Sequence, residues 1–308
     1  MRTVTLPGQS WITDVGPVDG LAMRAWDLSD DLDDPSVRVV VPPMGTTERL
    51  ARLAALPGLE VVQLFTAGYD HVLAHLPSGV TLCNAAGVHD ASTAEFAVAL
   101  MLAAQRGIPE FARAQERGEW IGQRAWPALG DRRVLIVGYG RIGRALAARL
   151  APFEVSLTAV ASRPRAGDDV VERVHGFDEL PWLLPHHDIV VLLTPLTDTT
   201  RGLADAAFLA SMPDGALVVN VARGQVLDTA ALLAETATGR LRAALDVTDP
   251  EPLPPDHPLW HAPGVLVAPH VGGAGDTFRP RMVRLLREQL TRYAAGAPLL
   301  HVVAGPGA

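Results

Sequence analysis

The stretch RVLIVGYGRIGRALAARL, residues 133–150, decides the fold. It has the pattern of a short apolar strand, a turn with glycines in G-x-G-x-x-G spacing, and an amphipathic helix. Gly138 allows a tight turn, Gly140 lets the backbone approach a pyrophosphate, and Gly143 lets helix and strand pack closely. The helix would offer free N–H groups and its positive end to phosphates. The stretch therefore predicts a dinucleotide-binding unit.

Short Val- and Leu-rich runs alternate with helical segments along the rest of the chain, which predicts parallel sheets covered on both faces and an α/β fold. The fingerprint begins so late that a folded domain must precede it. We expect two Rossmann- or flavodoxin-like domains: a smaller substrate-binding domain from 1–99 and 279–308, and an inserted dinucleotide-binding domain at 100–278. A helix over 92–120, with Ser92 and Glu95 in capping-box spacing, would join them.

Composition excludes several classes of function. The net charge of −8 and pI of about 5.7 give no basic field for nucleic acid. All 26 basic residues are arginine, so lysine nucleophiles and Schiff bases are excluded. The single cysteine, Cys83, has apolar neighbours and is expected to be a buried thiol. The apolar run at 96–104 is too short to span a membrane, and the N-terminus does not resemble a signal peptide, so we expect a cytoplasmic protein.

The segment ASRPRAGDD, residues 161–169, follows the second strand where an acid would normally hold the ribose of NAD. Ser162, Arg163 and Arg165 stand there instead. A hydroxyl and guanidinium groups suit a 2′-phosphate, so NADP(H) is favoured. Asp168 and Asp169 keep NAD(H) as the alternative.

Three later strands are followed by charged or titratable residues. VVNVARGQVLD holds Arg223, AALDVTDPEP holds Asp246 and Glu251, and VLVAPHVGG holds His270. In open parallel sheets the ligand lies beyond the carboxyl ends of the strands, so these residues are expected to converge. Arginine, carboxylate and histidine together suit reduction of a ketone beside a carboxylate, with histidine as the proton donor.

With these segments the chain resembles the D-isomer-specific 2-hydroxyacid dehydrogenases, which include glyoxylate/hydroxypyruvate reductases. The resemblance runs from about residue 59 to the C-terminus and is weak in the first forty or so residues. The matching segments include FTAGYDHV, NAAGVHDASTAEFAVALMLAAQR, VGYGRIG, TPLTDTTRGL, NVARGQVLD, AALDVTDPEP, PLWHAPGVLVAPHVGG and AAGAPLLHVV.

The resemblance implies roles for individual residues. Arg223 would bind substrate, Glu251 would raise the pKa of His270, and His270 would protonate the carbonyl oxygen. The loop at Ala67, Gly68 and Tyr69 would bind the substrate carboxylate or line its pocket. The implied cofactor-binding residues are Gly138, Tyr139, Gly140, Arg141, Ile142, Gly143, Ser162, Arg163, Arg165, Thr194, Pro195, Thr199, Val221, Ala222, Asp246, Gly272 and Gly273.

The resemblance also implies NADPH-dependent reduction of a small 2-oxo acid to the D-2-hydroxy acid, by a homodimer with no membrane or nucleic-acid partner. Trp120 and Trp126 are expected in the core or at the dimer interface. Gly275 stands where the family commonly has threonine, a change beside the site that puts the substrate pocket in doubt. Asp249 stands where glutamate is common, but Glu251 remains, so the chemistry is expected to be unharmed. The alternatives are an NAD(P)(H)-sensing protein of the same fold and an NAD-dependent dehydrogenase. His186 and His187 are adjacent with no evident third ligand, so no metal site is predicted.

Overall fold

The computed structural model describes residues 1–307. Its strands are β1 (Arg2–Leu6), β2 (Leu21–Ala25), β3 (Val37–Val40), β4 (Val61–Gln63), β5 (Thr81–Cys83), β6 (Arg133–Val137), β7 (Ser156–Val160), β8 (Arg165–Ala166), β9 (Arg173–His175), β10 (Ile189–Leu192), β11 (Leu217–Asn220), β12 (Arg242–Leu245), β13 (Val265–Val267) and β14 (Val302–Ala304).

The α-helices are α1 (Gln9–Val15), α2 (Asp90–Arg106), α3 (Ile108–Glu116), α4 (Arg141–Leu150), α5 (Leu180–Leu183), α6 (Ala206–Ala210), α7 (Thr229–Ala237) and α8 (Phe278–Ala295). Short 3₁₀ segments cover Thr47–Ala55, Leu73–His75, Ala151–Phe153, Phe177–Glu179, Leu184–His186, Gly224–Val226 and Pro258–His261. Within residues 1–307, no helix combines the length and the apolar character needed to cross a membrane.

The chain divides into two compact units. The smaller unit is Met1–His89 with Asp276–Ala308, and the larger unit is Asp90–Gly275. The sequence prediction placed the boundaries later, at 99/100 and 278/279. The first boundary differs because all of α2 packs with the larger unit, where its residues Ala94, Ala97 and Met101 share a core with Ile136 and Leu146.

The smaller unit is built on a six-stranded sheet in the order β14-β5-β4-β3-β1-β2. Its strands are parallel except for β14, which runs antiparallel to β5. Apart from β14, this is the flavodoxin-like order. The apolar face of α8, with Met282, Leu286 and Leu290, packs in one core with Val4 and Val39. Cys83 is fully buried in that core, as predicted, and burial raises the pKa of its thiol to about 11.

The larger unit is built on an eight-stranded sheet in the order β13-β12-β11-β10-β6-β7-β9-β8. Only β8 is antiparallel to its neighbour; the order outward from β6 is that of a Rossmann fold. Successive residues of β6 point to opposite faces: Leu135 and Val137 enter one core, while Val134 and Ile136 enter the other. Both faces are therefore buried, and the predicted α/β class is confirmed.

The predicted helix over 92–120 is wrong in its bounds. The first helix, α2, begins at Asp90, so Ser92 lies inside it and does not cap it. The helix then breaks at Gly107, whose φ of 68° is left-handed, and α3 continues to Glu116. A glycine takes this conformation at little cost, and the following Ile108-Pro109 step starts a new first turn.

Trp120 is not a core residue, since 97% of it is exposed in the single chain. Trp126 is packed locally. The centroid of its ring lies 5.2 Å from that of the Phe111 ring and 3.7 Å from the Arg124 guanidinium. The homodimer stays a prediction.

Two glycines with left-handed φ allow the cost of backbone strain to be measured apart from the cost of a steric clash. Gly107 and Gly118 have φ of 68° and 65°, but a Cβ at Gly107 would overlap the Trp126 ring, whereas a Cβ at Gly118 would meet nothing within 4 Å. We expect Gly118→Ala to cost about 1 kcal/mol from the left-handed backbone alone. Gly107→Ala should cost about 1–3 kcal/mol more because of the overlap. Thermal unfolding midpoints measure both; equal shifts would contradict the packing of Trp126 on Gly107.

Candidate functional site

The glycine-rich turn follows β6 and can accept a large group above its backbone. Gly138 has φ of 116°, and a Cβ there would overlap the carbonyl group of Leu193. A Cβ at Gly143 would overlap the carbonyl oxygen of Gly138, so helix and strand pack too closely for a side chain. At Gly140, in contrast, a Cβ would meet no atom within 4 Å. The turn is therefore closed on the side of the protein and open at Gly140, where a pyrophosphate would lie.

The amino end of α4 has the polar groups that such a ligand needs. The N-cap residue is Gly140, and no side chain caps the helix, so its first N–H groups can bind phosphate oxygens. Thr194 follows β10, beside the turn, and its Oγ1 is buried with no hydrogen-bond partner within residues 1–307. A buried hydroxyl without a partner is costly unless a ligand or water satisfies it. Both features fit a dinucleotide.

The residues predicted to bind a 2′-phosphate follow β7. Ser162 and Arg163 are exposed, and their side chains have no partner among the described residues. The guanidinium of Arg165 donates from Nη2 to the carbonyl oxygen of Tyr139 at 2.5 Å and from Nη1 to that of Arg163 at 3.3 Å. One cationic side chain is thus held against the glycine-rich turn, and two further polar side chains remain available nearby.

Of the two acids that kept NAD as an alternative, Asp168 is engaged within the chain. Asp168 accepts hydrogen bonds from the Tyr139 hydroxyl at 3.0 Å and from the N–H groups of Val170 and Val171, and lies 3.7 Å from Arg144. Burial opposes the charged carboxylate, but these hydrogen bonds and Arg144 together hold the pKa of Asp168 below its ordinary value. The carboxylate is therefore largely satisfied before any ribose hydroxyl reaches it.

His270 and Glu251 form a close pair. His270 Nδ1 lies 2.5 Å from Glu251 Oε1, and their side chains are 45% and 40% exposed. The hydrogen bond to Glu251 raises the pKa of His270 against the opposing effect of burial. The same bond lowers the pKa of Glu251. The pair therefore favours an imidazolium beside a carboxylate, with Nε2 of His270 left for other chemistry.

Arg223 lies near this pair. The turn after β11 is shaped by Asn220, whose Oδ1 accepts from the Ala222 N–H and whose Nδ2 donates to the Arg223 carbonyl, each at 3.0 Å. The guanidinium of Arg223 is close enough for its charge to lower the pKa values of both Glu251 and His270. The structure therefore brings together the three side chains predicted to be catalytic.

Asp246 holds the backbone at His270, a function that the sequence prediction missed. The Asp246 carboxylate is 3% exposed and accepts from the N–H groups of Val271 and Gly272 at 2.8 and 2.9 Å, while its carbonyl oxygen accepts from the His270 N–H at 2.7 Å. His270 has φ of 55°, in the left-handed region that costs a non-glycine residue energy. The predicted role of Asp246 in binding the cofactor stays a prediction; the structure shows in addition that Asp246 shapes the turn. A buried acid directly after a strand was the available signal.

The other predicted residues lie at the same edge of the larger sheet or in the smaller unit. Thr194, Pro195 and Thr199 follow β10, Val221 and Ala222 follow β11, and Gly272 and Gly273 follow His270. Ala67, Gly68 and Tyr69 belong to the smaller unit, after β4. Beside this loop is a small pocket open to solvent, lined in part by Met44, Phe65 and Thr66.

No group of three or more His, Cys, Asp or Glu side chains within residues 1–307 is placed to hold a metal ion. His187, which invited a metal interpretation with His186, is buried. Its ring nitrogens lie 2.7 Å from the Leu183 carbonyl oxygen and 2.9 Å from Thr158 Oγ1. It therefore stabilises the fold.

Comparisons with known proteins indicate one family. The NAD binding domain model of the D-isomer specific 2-hydroxyacid dehydrogenases matches residues 98–272. A glyoxylate reductase from Thermofilum pendens is 35% identical to this chain. The alignment covers 79% of this chain and 74% of the Thermofilum protein. A glyoxylate reductase/hydroxypyruvate reductase from Homo sapiens is 33% identical to this chain. The alignment covers 80% of this chain and 77% of the human protein.

A solved structure extends the agreement to the whole fold. The crystal structure of a D-isomer specific 2-hydroxyacid dehydrogenase from Xanthobacter autotrophicus Py2, in complex with NADPH and MES, superimposes with a TM-score of 0.79. It has 33% identity and covers 98% of each chain. The family model matches more than half of the residues, and the relatives are named reductases and dehydrogenases. This chain is therefore an oxidoreductase and belongs to the D-isomer specific 2-hydroxyacid dehydrogenase family.

Proposed function

We propose that the protein uses NADPH to reduce a small 2-oxo acid, of the glyoxylate or hydroxypyruvate kind, to the D-2-hydroxy acid. The observation that carries this proposal is the 2.5 Å pairing of His270 with Glu251 close to the charge of Arg223. The reductase relatives support the substrate class. An acid-base pair beside a fixed cation is suited to a substrate with a carbonyl group next to a carboxylate.

When bound, the nicotinamide supplies a hydride to C2 of the substrate. His270 holds the proton that the carbonyl oxygen needs. Its Nδ1–H is bonded to Glu251, so the proton to be transferred is the one on Nε2. The carboxylate of Glu251 keeps the imidazole charged and fixes the orientation of its ring. Arg223 would bind the carbonyl or carboxylate oxygens and stabilise negative charge that develops on them.

Two features of the structure and one relative support NADPH as the reductant. Asp168, one of two acids in the ribose region, already accepts hydrogen bonds from Tyr139, Val170 and Val171. Arg165 is held against the glycine-rich turn, where its fork of N–H donors suits a 2′-phosphate. The Xanthobacter relative was solved with NADPH. Ser162 and Arg163 would complete the phosphate pocket.

Cofactor choice tests the phosphate pocket. We expect the wild-type protein to oxidise NADPH in preference to NADH with glyoxylate or hydroxypyruvate. Arg165→Ala should raise KM for NADPH about 10- to 100-fold, the value of a charged hydrogen bond, and change KM for NADH far less. Arg173→Ala is the control, because it removes the same charge from nearby β9. A wild-type preference for NADH, or equal effects of Arg165→Ala on both cofactors, would contradict the pocket.

The pH profile tests the acid-base pair. Reduction requires protonated His270, so kcat/KM should fall as pH rises through the raised pKa of His270. Glu251→Gln removes the main cause of that raised pKa, and the alkaline limb should therefore move to lower pH. Glu172→Gln, at an exposed acid of the same unit, should leave the profile unchanged. An unmoved alkaline limb in Glu251→Gln would show that another group donates the proton.

His270→Ala separates an enzyme from a cofactor sensor. We expect turnover to fall roughly 10²- to 10⁴-fold with loss of the general acid. The dissociation constant for NADPH, followed by nucleotide fluorescence, should change little, because the glycine-rich turn is untouched. Unaltered turnover would refute the role of His270, and absence of turnover in the wild-type protein with every 2-oxo acid would favour the sensor.

A further inference from the structure

The loop after β4 is held by its carbonyl groups. The carbonyl oxygens of Thr66, Ala67, Gly68 and Tyr69 all accept hydrogen bonds from within the smaller unit. Their donors, in order, are the Ala85 N–H at 2.9 Å, Asn84 Nδ2 at 2.7 Å, Thr66 Oγ1 at 2.7 Å and the Val72 N–H at 3.0 Å. No carbonyl in this loop therefore depends on solvent for a partner.

The N–H groups of the same loop have no such partners. Those of Ala67, Gly68 and Tyr69 donate to no acceptor within residues 1–307, although the loop is only partly exposed. A backbone with its carbonyls bound and its successive N–H groups unbound is suited to an anion.

The geometry of the peptide group connects these two observations. A trans peptide is planar, with its C=O and N–H pointing in opposite directions. The Ala67 carbonyl and the Gly68 N–H belong to one peptide group, so the hydrogen bond from Asn84 to the carbonyl directs that N–H away from Asn84. Asn84 is 7% exposed and Gly68 lies nearer the surface. In the same way, the hydrogen bond from Thr66 Oγ1 to the Gly68 carbonyl directs the Tyr69 N–H away from the Thr66 hydroxyl.

Asn84 is itself fixed. Its Oδ1 accepts from the Ala86 N–H at 3.2 Å, so its Nδ2 must face Ala67. Its backbone N–H donates to the carbonyl of His301 at 3.1 Å, and its own carbonyl accepts from Gln63 Nε2 at 3.1 Å. The side-chain amide therefore has one orientation in which both of its ends are satisfied.

Two buried side-chain amides, bonded to one another, hold the backbone carbonyl of Asn84. Gln63 and Gln289 are 0% and 1% exposed, and Gln289 Nε2 donates to Gln63 Oε1 at 2.9 Å. Gln289 on α8 also exchanges hydrogen bonds with the backbone of Leu300, at 2.8 and 3.0 Å. A fully satisfied buried network of this kind is rigid. It connects α8 to the carbonyl group of Asn84.

We propose that Asn84 is a positioning residue for substrate binding. Through the carbonyl of Ala67 it directs the Gly68 N–H toward the carboxylate of the 2-oxo acid, and Thr66 does the same for the Tyr69 N–H. The Gln63–Gln289 pair holds Asn84 in place. The inference rests on the proposed function, reduction of a 2-oxo acid, and on the expectation from the family resemblance that this loop binds the carboxylate of that acid.

Asn84→Asp tests the inference with a near-isosteric change. The variant keeps an acceptor for Ala86 and loses the donor to Ala67. KM for glyoxylate should rise about 10-fold or more, the value of a hydrogen bond to a charged group. Values of kcat and of KM for NADPH should stay near those of the wild-type protein. Thr81→Val is the control, because it removes a side-chain bond from the same strand region, to the Pro306 carbonyl. An unchanged KM for glyoxylate in Asn84→Asp would overturn the inference.

A second pair of variants covers the case in which Asn84→Asp does not fold. Thr66→Val removes only the hydroxyl that binds the Gly68 carbonyl, and Thr66→Ser restores it. We expect the valine variant to raise KM for glyoxylate and the serine variant to return it toward the wild-type value. Equal KM values in the two variants would overturn the inference.

Direct binding separates failure of this inference from failure of the proposed function. Calorimetry would measure oxamate, a carboxylate that is not reduced, with the NADPH-loaded wild-type, Asn84→Asp and Thr66→Val proteins. Weaker binding by the variants supports the inference even if the wild-type protein turns over no 2-oxo acid, in which case only the proposed function fails. Equal affinity in all three, or no binding by the wild-type protein, overturns the inference.

Discussion

Parallel pairing of the strands is the constraint on which the larger unit depends. The carboxyl ends of neighbouring parallel strands lie at the same edge of a sheet. Here β6, β10, β11, β12 and β13 lie side by side and pair in parallel, so the turns that follow them share that edge. Residues distant in sequence, such as Gly138 and His270, are thereby held on one framework. Because both faces of the sheet are buried, the framework cannot shift without disrupting two cores.

At this edge the charged groups are stabilised by backbone hydrogen bonds as well as by one another. The Asp246 carboxylate is buried yet accepts two N–H hydrogen bonds, which offset the cost of removing it from water. The same bonds fix the turn that carries His270 in a left-handed conformation. The imidazole then meets Glu251. One buried acid therefore positions His270, while a second, half-exposed acid favours its charged form.

The sequence predicted those features that depend on local spacing. The glycine pattern placed Gly138 and Gly143 where no Cβ fits, and the alternation of apolar runs and helices predicted the α/β class. Features that depend on partners distant in the sequence were not predicted. The break at Gly107 depends on a left-handed conformation that the helical period does not reveal. The hydrogen bonds of Asp168 to Tyr139 and of Asn84 to Ala67 join segments whose pairing is set by the sheets.

The chain carries a net charge of −8 and has two different ways of offering N–H groups to anions. At the amino end of α4 the N–H groups are unbound because helix geometry leaves them so. In the loop at Ala67 no helix is present, and the N–H groups are directed by hydrogen bonds to the opposite ends of their peptide groups. Neutral amides suit that task, since a lysine or arginine behind the loop would attract the carboxylate toward itself. Asn84 and Gln63 orient dipoles without adding a competing charge, so the loop can bind an anion at its backbone alone.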